Sequence, residues 1–152
     1  MHMRHVNYVF SGYKTRISDH ESFDHVQLAK NVTKKTDRKI LFVLDYVPTE
    51  DLRSGALLSG ATGQLLDGIM RIRSEYYKET SSMSDFNWLC ITFHTCRTKN
   101  KSEDFIESVY KDFKRRLETI ICEYKPDTVV TIGPDPYKAL NAELINKEYA
   151  GN

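Results

Sequence analysis

Three short, almost unbroken runs of apolar and β-branched residues set the limits on what this chain can fold into. They are Lys39-Ile40-Leu41-Phe42-Val43-Leu44-Asp45, Phe86-Asn87-Trp88-Leu89-Cys90-Ile91-Thr92-Phe93 and Thr128-Val129-Val130-Thr131-Ile132-Gly133. A strand with one wet face alternates apolar and polar residues, whereas a continuous run fits a strand covered on both faces, as in a parallel sheet between helices. Helical periodicity fills the intervals. Leu65, Leu66, Ile69, Met70 and Ile72 recur at helical spacing between Gly63 and Tyr77, with Thr62 or Ser59 as the candidate cap. A second helix is expected from Ser102 to Tyr124 and is stopped by Lys125-Pro126, because a residue before proline avoids helical dihedrals. A third starts near Pro136 with Asp135 as its cap. The order β-α-β-α-β-α with right-handed crossovers predicts an α/β fold of three α/β/α layers around a short, mostly parallel sheet.

Residues 1–38 lack this alternation. Asn7-Tyr8-Val9-Phe10 reads as a short strand, Glu21 to Val32 as a helix, and Thr33 to Lys39 as a basic, polar linker. The expected organisation is an N-terminal extension over 1–38, which packs beside the sheet or extends it, and one domain over 39–152. Thr80 to Asp85 is a serine-rich polar loop. The third run leaves a sheet edge that a following strand would cover. The expectation is therefore a sheet without its last strand, in a fragment of a longer protein.

Charge narrows the possible partners. The 22 Lys and Arg residues nearly balance 21 Asp and Glu, for a net charge of +1, so attraction to nucleic acid has to come from a local patch. Candidate patches are Lys34, Lys35, Arg38 and Lys39 before the first run, Arg97, Lys99 and Lys101 after the second, and Arg53 between them. Lys111, Lys114, Arg115 and Arg116 alternate with acids and read as a solvated helix face. The three cysteines, Cys90, Cys96 and Cys122, lack metal-site spacing and are odd in number, which fits reduced thiols in the cytoplasm. Cys90 and Cys122 read as small core residues. No apolar run approaches the roughly 18 residues of a membrane helix, so no membrane role is expected.

The richest chemistry lies between Leu44 and Asp67, where the chain passes from a strand end through a Gly-rich loop into a helix. In open α/β sheets ligands bind at such places. Gly55, Gly60 and Gly63 permit close backbone approach, and N–H groups at the helix start suit a phosphate. A plain βα connection would use the same glycines for turn geometry alone.

The order of residues here resembles the first motif of the uracil-DNA glycosylase superfamily, in its thermophile-type and phage-polymerase-associated branches. Ser54-Gly55 and Gly60-Ala61-Thr62-Gly63-Gln64-Leu65-Leu66-Asp67 fall into that motif's register. Ile91-Thr92-Phe93-His94-Thr95-Cys96-Arg97 is similar to the family's second strand and loop, and Lys125-Pro126-Asp127-Thr128-Val129-Val130-Thr131-Ile132-Gly133 to its third. The resemblance spans residues 39 to 145. It implies a water-positioning carboxylate at Asp45, where the family has a glutamate, and nucleic-acid contacts from Arg53, Gly55, Gly60, Gly63, Thr92, Arg97 and Lys99.

Several family residues are replaced. The ring that stacks on uracil is Leu58, and the asparagine that reads the flipped base is Thr92, which lacks the bidentate edge. The late histidine motif is missing, and His94 is out of register for it. Of the four cysteines that hold an iron–sulfur cluster in the thermophile-type members, only Cys96 is matched, and Phe113 stands at another ligand position. No cofactor and no metal are therefore expected. Gly133-Pro134-Asp135-Pro136-Tyr137 mimics a water-activating motif of the major uracil-glycosylase family, but it follows the wrong strand and reads as a turn into a helix. The resemblance implies a non-excising module of a DNA-replication protein, similar to the N-terminal domain of tailed-phage A-family polymerases, with DNA or a replication protein as partner. A divergent glycosylase using Asp45 and a stand-alone interaction or inhibitor module are the alternatives.

Overall fold

A computed structural model of the protein describes residues 4–6, 28–77, 82–94 and 102–147. Its elements are β1 (Arg4–Val6), β2 (Leu28–Asn31), β3 (Lys39–Leu44), α1 (Thr49–Ser54), α2 (Ala61–Tyr77), a 3-10 turn (Met83–Asp85), β4 (Asn87–Thr92), α3 (Glu103–Tyr124), β5 (Thr128–Ile132) and α4 (Pro134–Lys147). The sheet order is β1-β2-β4-β3-β5. β3 pairs in parallel with β4 and β5, while β2 runs antiparallel to both β4 and β1. Only β2 therefore opposes the common direction, and the expected short, mostly parallel α/β sheet is what forms.

The three apolar runs become β3, β4 and β5. The first two are central, and five of the six residues in each are buried. Side chains alternate between faces. Ile40, Phe42 and Leu44 of β3 share one face with Trp88, Cys90 and Thr92 of β4, their partners in register. Phe42 meets Trp88 edge to face at 6.1 Å on that side, and the Trp88 indole N–H donates to the Met83 carbonyl at 2.8 Å. The opposite face carries Phe93, which packs its ring on Phe113 and Tyr110 of α3. The chain leaves β3 over one face and β4 over the other, giving the three layers.

α3 starts where Ser102 accepts the Phe105 N–H at 3.3 Å, and it ends at Lys125 in the left-handed conformation before Pro126. α4 begins at Pro134, one residue before the expected Asp135 cap. β5 lies at the sheet edge and is half-buried throughout, so its continuous apolar pattern does not come with the full cover of β3 and β4.

Three expectations are corrected. Part of the helix expected from Glu21 to Val32 is strand β2: Leu28 and Ala29 enter the core, and Asn31 anchors the strand by donating to the Phe86 carbonyl at 2.8 Å. Burial on the sheet outweighs local helical preference there. Cys122 is exposed, because it turns away from the stripe of Val109, Phe113, Leu117 and Ile120 that α3 buries, while Cys90 is in the core as expected. Arg116 belongs to no solvated face and is 1% exposed. The strand expected at Asn7–Phe10 lies outside the described residues. Among those residues no helix is long and apolar enough to cross a membrane.

Candidate functional site

The carboxyl ends of β3, β4 and β5 bring Asp45, Tyr46, His94, Gly133 and Asp135 together. The backbone extends the β3–β4 ladder past its last paired residues, with Phe93 N–H donating to Leu44 O at 2.7 Å and His94 N–H to Asp45 O at 3.0 Å. The half-buried Asp45 carboxylate accepts the Tyr46 N–H at 2.8 Å. It also lies against Gly133, whose φ is 108° and where an added Cβ would stand 2.6 Å from an Asp45 oxygen. This glycine is required both by its backbone angle and by the carboxylate. The Tyr46 hydroxyl donates to Asp135 at 2.8 Å, tying the β3 end to the first turn of α4. Asp135 thus acts as a structural acceptor at a turn into a helix, as its sequence context suggested. His94 is 2% exposed, with its ring edge-on to those of Tyr46 and Phe105.

The Gly-rich loop is filled from within. Asp51, on the short helix α1 that the sequence reading passed over, is fully buried. Its two carboxylate oxygens accept the N–H groups of Leu58 at 2.9 Å and Gly60 at 3.1 Å. Glu50 accepts the Ala61 N–H at 3.0 Å and thereby takes the cap position of α2, for which Thr62 and Ser59 were the candidates. Ser59 instead donates to the Ala56 carbonyl at 2.7 Å. A Cβ at Gly60 would meet the Glu50 and Asp51 side chains, and one at Gly63 would stand 2.1 Å from the Leu58 carbonyl oxygen. The close approach that Gly60 and Gly63 allow is thus to the protein's own atoms. Gly55, with φ 81°, closes α1 by donating to Asp51 O at 2.9 Å. A phosphate placed at the start of α2 would have to displace Glu50 and lie beside a second carboxylate. Burial raises the Asp51 pKa above its ordinary value despite the two N–H donors.

The two positions matching the family's base-binding residues are interior. Leu58 is 0% exposed and holds a left-handed φ of 61°, which costs a branched residue roughly 1–2 kcal/mol. Thr92 is also 0% exposed, on the sheet face of Trp88 and Cys90, and its hydroxyl has no hydrogen-bond partner among the described residues. Neither side chain is offered to a ligand. Burial pushes the Cys90 thiol up, with a smaller contribution from the Asp51 charge, so it is an inert core residue. Phe113 is likewise core, at 1% exposure.

Behind this end of the sheet lies a residue with a structural role that the sequence reading missed. Arg116 donates to the carbonyls of Thr92 at 2.8 Å and Phe93 at 2.6 Å, and its Nε pairs with buried Asp112 at 2.9 Å. It therefore braces the point where β4 gives way to the His94 segment. The signal was present: 105, 109, 113, 116, 117 and 120 follow one helical stripe, so Arg116 shares the apolar face.

The described candidate cations do not converge. Arg53 is exposed at the end of α1, whereas Arg97 and Lys99, like Lys101 and Cys96, lie outside the described residues. Lys34, Lys35, Arg38 and Lys39 lie at the amino ends of the strands, the opposite pole from Asp45. There Lys35 is paired with Asp85, while Arg38 donates to Thr128 at 3.0 Å. Among the described residues no group of three or more His, Cys, Asp or Glu side chains could hold a metal ion. No protein family and no curated protein matches this chain.

Proposed function

We propose that this chain is a non-excising, uracil-DNA glycosylase-like module of a cytoplasmic DNA-replication protein, of the kind that opens phage A-family polymerases, and that it binds DNA. The observation that carries this reading is the burial of Leu58 and Thr92. An excising site needs a ring face and a base-reading edge turned toward a flipped nucleotide. Here one position is an aliphatic side chain of the core and the other a hydroxyl sealed from solvent. The internally satisfied loop at Leu58, Gly60 and Ala61 supports the same reading, because its donors are already taken. Asp45 remains as a half-buried carboxylate that accepts the Tyr46 N–H.

The test is uracil release from single- and double-stranded oligonucleotides by the protein and by Asp45→Asn, with DNA binding measured in parallel by fluorescence anisotropy. Binding without release is expected. Release that Asp45→Asn abolishes would instead establish the divergent glycosylase. A second reading, a protein-interaction module, is favoured by α2, where Leu65 is 61% and Ile69 51% exposed at i and i+4. Pull-down of a replication protein by the wild type but not by Leu65→Glu, with no DNA binding, would favour it.

A further inference from the structure

We infer that nucleic acid is held at the amino pole of the sheet, by the Thr33–Lys39 linker and the turn at Lys125, and not at the carboxyl pole where ligands of open α/β sheets usually lie. The inference rests on the DNA-binding reading above and assigns it a surface. At the carboxyl pole, Glu50 and Asp51 occupy the loop's donors, and Asp45 and Asp135 add two more carboxylates. Among the described residues a phosphodiester approaching there meets these four carboxylates, with Arg53 as the exposed cation on α1.

The amino pole differs in three respects. First, the fold brings the basic linker beside the turn at Lys125. Lys39 N–H donates to the Asp127 carboxylate at 2.9 Å, and Asp127 N–H donates back to Lys39 O at 2.9 Å. This seats Lys125 beside Arg38 and Lys39, and the Asn87 side chain donates to Thr36 O at 2.7 Å to pin the rest of the linker. Second, the acids at this pole leave cations over. Asp85 pairs with Lys35 and Asp127 with Arg38, whereas Lys34, Lys39 and Lys125 make no salt bridge among the described residues. Asp37 and Glu123 are the remaining exposed carboxylates nearby. Lys39 lies 5.7 Å from the centre of the Tyr124 ring, which holds its charge at this pole. Third, Lys125 adopts φ 54° just past the end of α3, where glycine is usual, so a cation is kept at a conformational cost. The linker between Thr33 and Lys39 is polar throughout, with the Thr33 and Thr36 hydroxyl oxygens accepting the Lys35 and Arg38 N–H groups. That suits a phosphate backbone better than a lipid surface, which would take apolar anchors.

The experiment measures single-stranded DNA binding by anisotropy across a salt series, for the wild type, Lys34→Glu/Lys125→Asn, Arg53→Glu and, as a remote control, Lys111→Glu. Asparagine tolerates the left-handed angle at 125, and circular dichroism checks each fold. The expected result is a loss of at least about tenfold in affinity for the double variant. The slope of log K against log salt should fall by about one per contact removed. Lys111→Glu should stay within about twofold of the wild type. Affinity lost in Arg53→Glu and kept in the double variant would overturn this surface while leaving DNA binding intact. Absence of DNA binding by the wild type at low salt would overturn the DNA reading itself, and so would binding to phosphatidylserine vesicles in its place.

Discussion

Replacing Arg116 with methionine tests whether the brace behind the site is structural. Methionine fills similar volume but removes the ion pair with Asp112 and both hydrogen bonds, at 2.8 and 2.6 Å, to the Thr92 and Phe93 carbonyls. Asp112 is 7% exposed, so its carboxylate cannot recover the loss from water, although it keeps Arg115, at 3.2 Å. Breaking one partner out of a buried pair costs roughly 3–5 kcal/mol, because the other charge is left behind. In a domain whose total stability is about 5–15 kcal/mol, and at about 2–4 °C per kcal/mol for this size, Tm should fall by about 10 °C. Urea unfolding followed by circular dichroism measures the free energy. Removing both charges, as Asp112→Leu/Arg116→Met, should recover at least about 1 kcal/mol of the loss, since no charge is then stranded. The carbonyl ends of β4 remain short of donors, so recovery should be incomplete. A single variant within about 1 kcal/mol of the wild type would refute the reasoning. So would a double variant worse than the sum of its parts.

Thr92→Val removes a buried hydroxyl that has no hydrogen-bond partner among the described residues, so stability should hold or rise by about 1 kcal/mol and DNA binding should not change; loss of binding would place Thr92 in contact with the ligand. Gly63→Ala forces a Cβ to within 2.1 Å of the Leu58 carbonyl oxygen and should destabilise by about 3 kcal/mol or more, whereas Gly68→Ala, with nothing within 4 Å on the same helix, should stabilise by roughly 0.5–1 kcal/mol in thermal melts. The pH dependence should carry opposite signs at different acids. Asp51 has a folded pKa above 3.8, raised chiefly by burial, so its native form takes up a proton more readily than the unfolded chain. Stability relative to Asp51→Asn should therefore rise as pH falls from that raised value toward 3.8. Asp85 is held below its ordinary value chiefly by the Lys35 hydrogen bond. Asp127 is held below it by the Lys39 N–H, Thr128 and Arg38 against an opposing effect of burial. Their contribution is present above pH 3.8 and lost below it, so Asp85→Asn and Asp127→Asn should flatten the acid limb of a pH–stability curve.

Continuity of apolar residues was enough to read β3 and β4, because both of their faces are covered and water imposes no alternation. The same pattern misjudged β5, since an edge strand can be rich in valine without being sealed. β2 was read as helix because four residues carry too little periodicity. Their pairing with β1 and β4, both distant in sequence, makes a strand of them. The site divides along the same line. Gly-rich spacing located the loop correctly, yet spacing alone cannot tell whether a glycine makes room for a ligand or for the protein. Gly60 and Gly63 make room for Glu50, Asp51 and the Leu58 carbonyl, and the first two are acids that sequence distance separates from the donors they satisfy. Charge was the least legible property. Arg116 and Lys111 share one run of alternating charges, but one lies on the buried stripe of α3 and the other faces water. Lys34, Lys39 and Lys125, which make no salt bridge among the described residues, lie at the opposite end of the sheet from the motif. The loop thus keeps a Gly-rich wording while its donors at Leu58, Gly60 and Ala61 are spent internally.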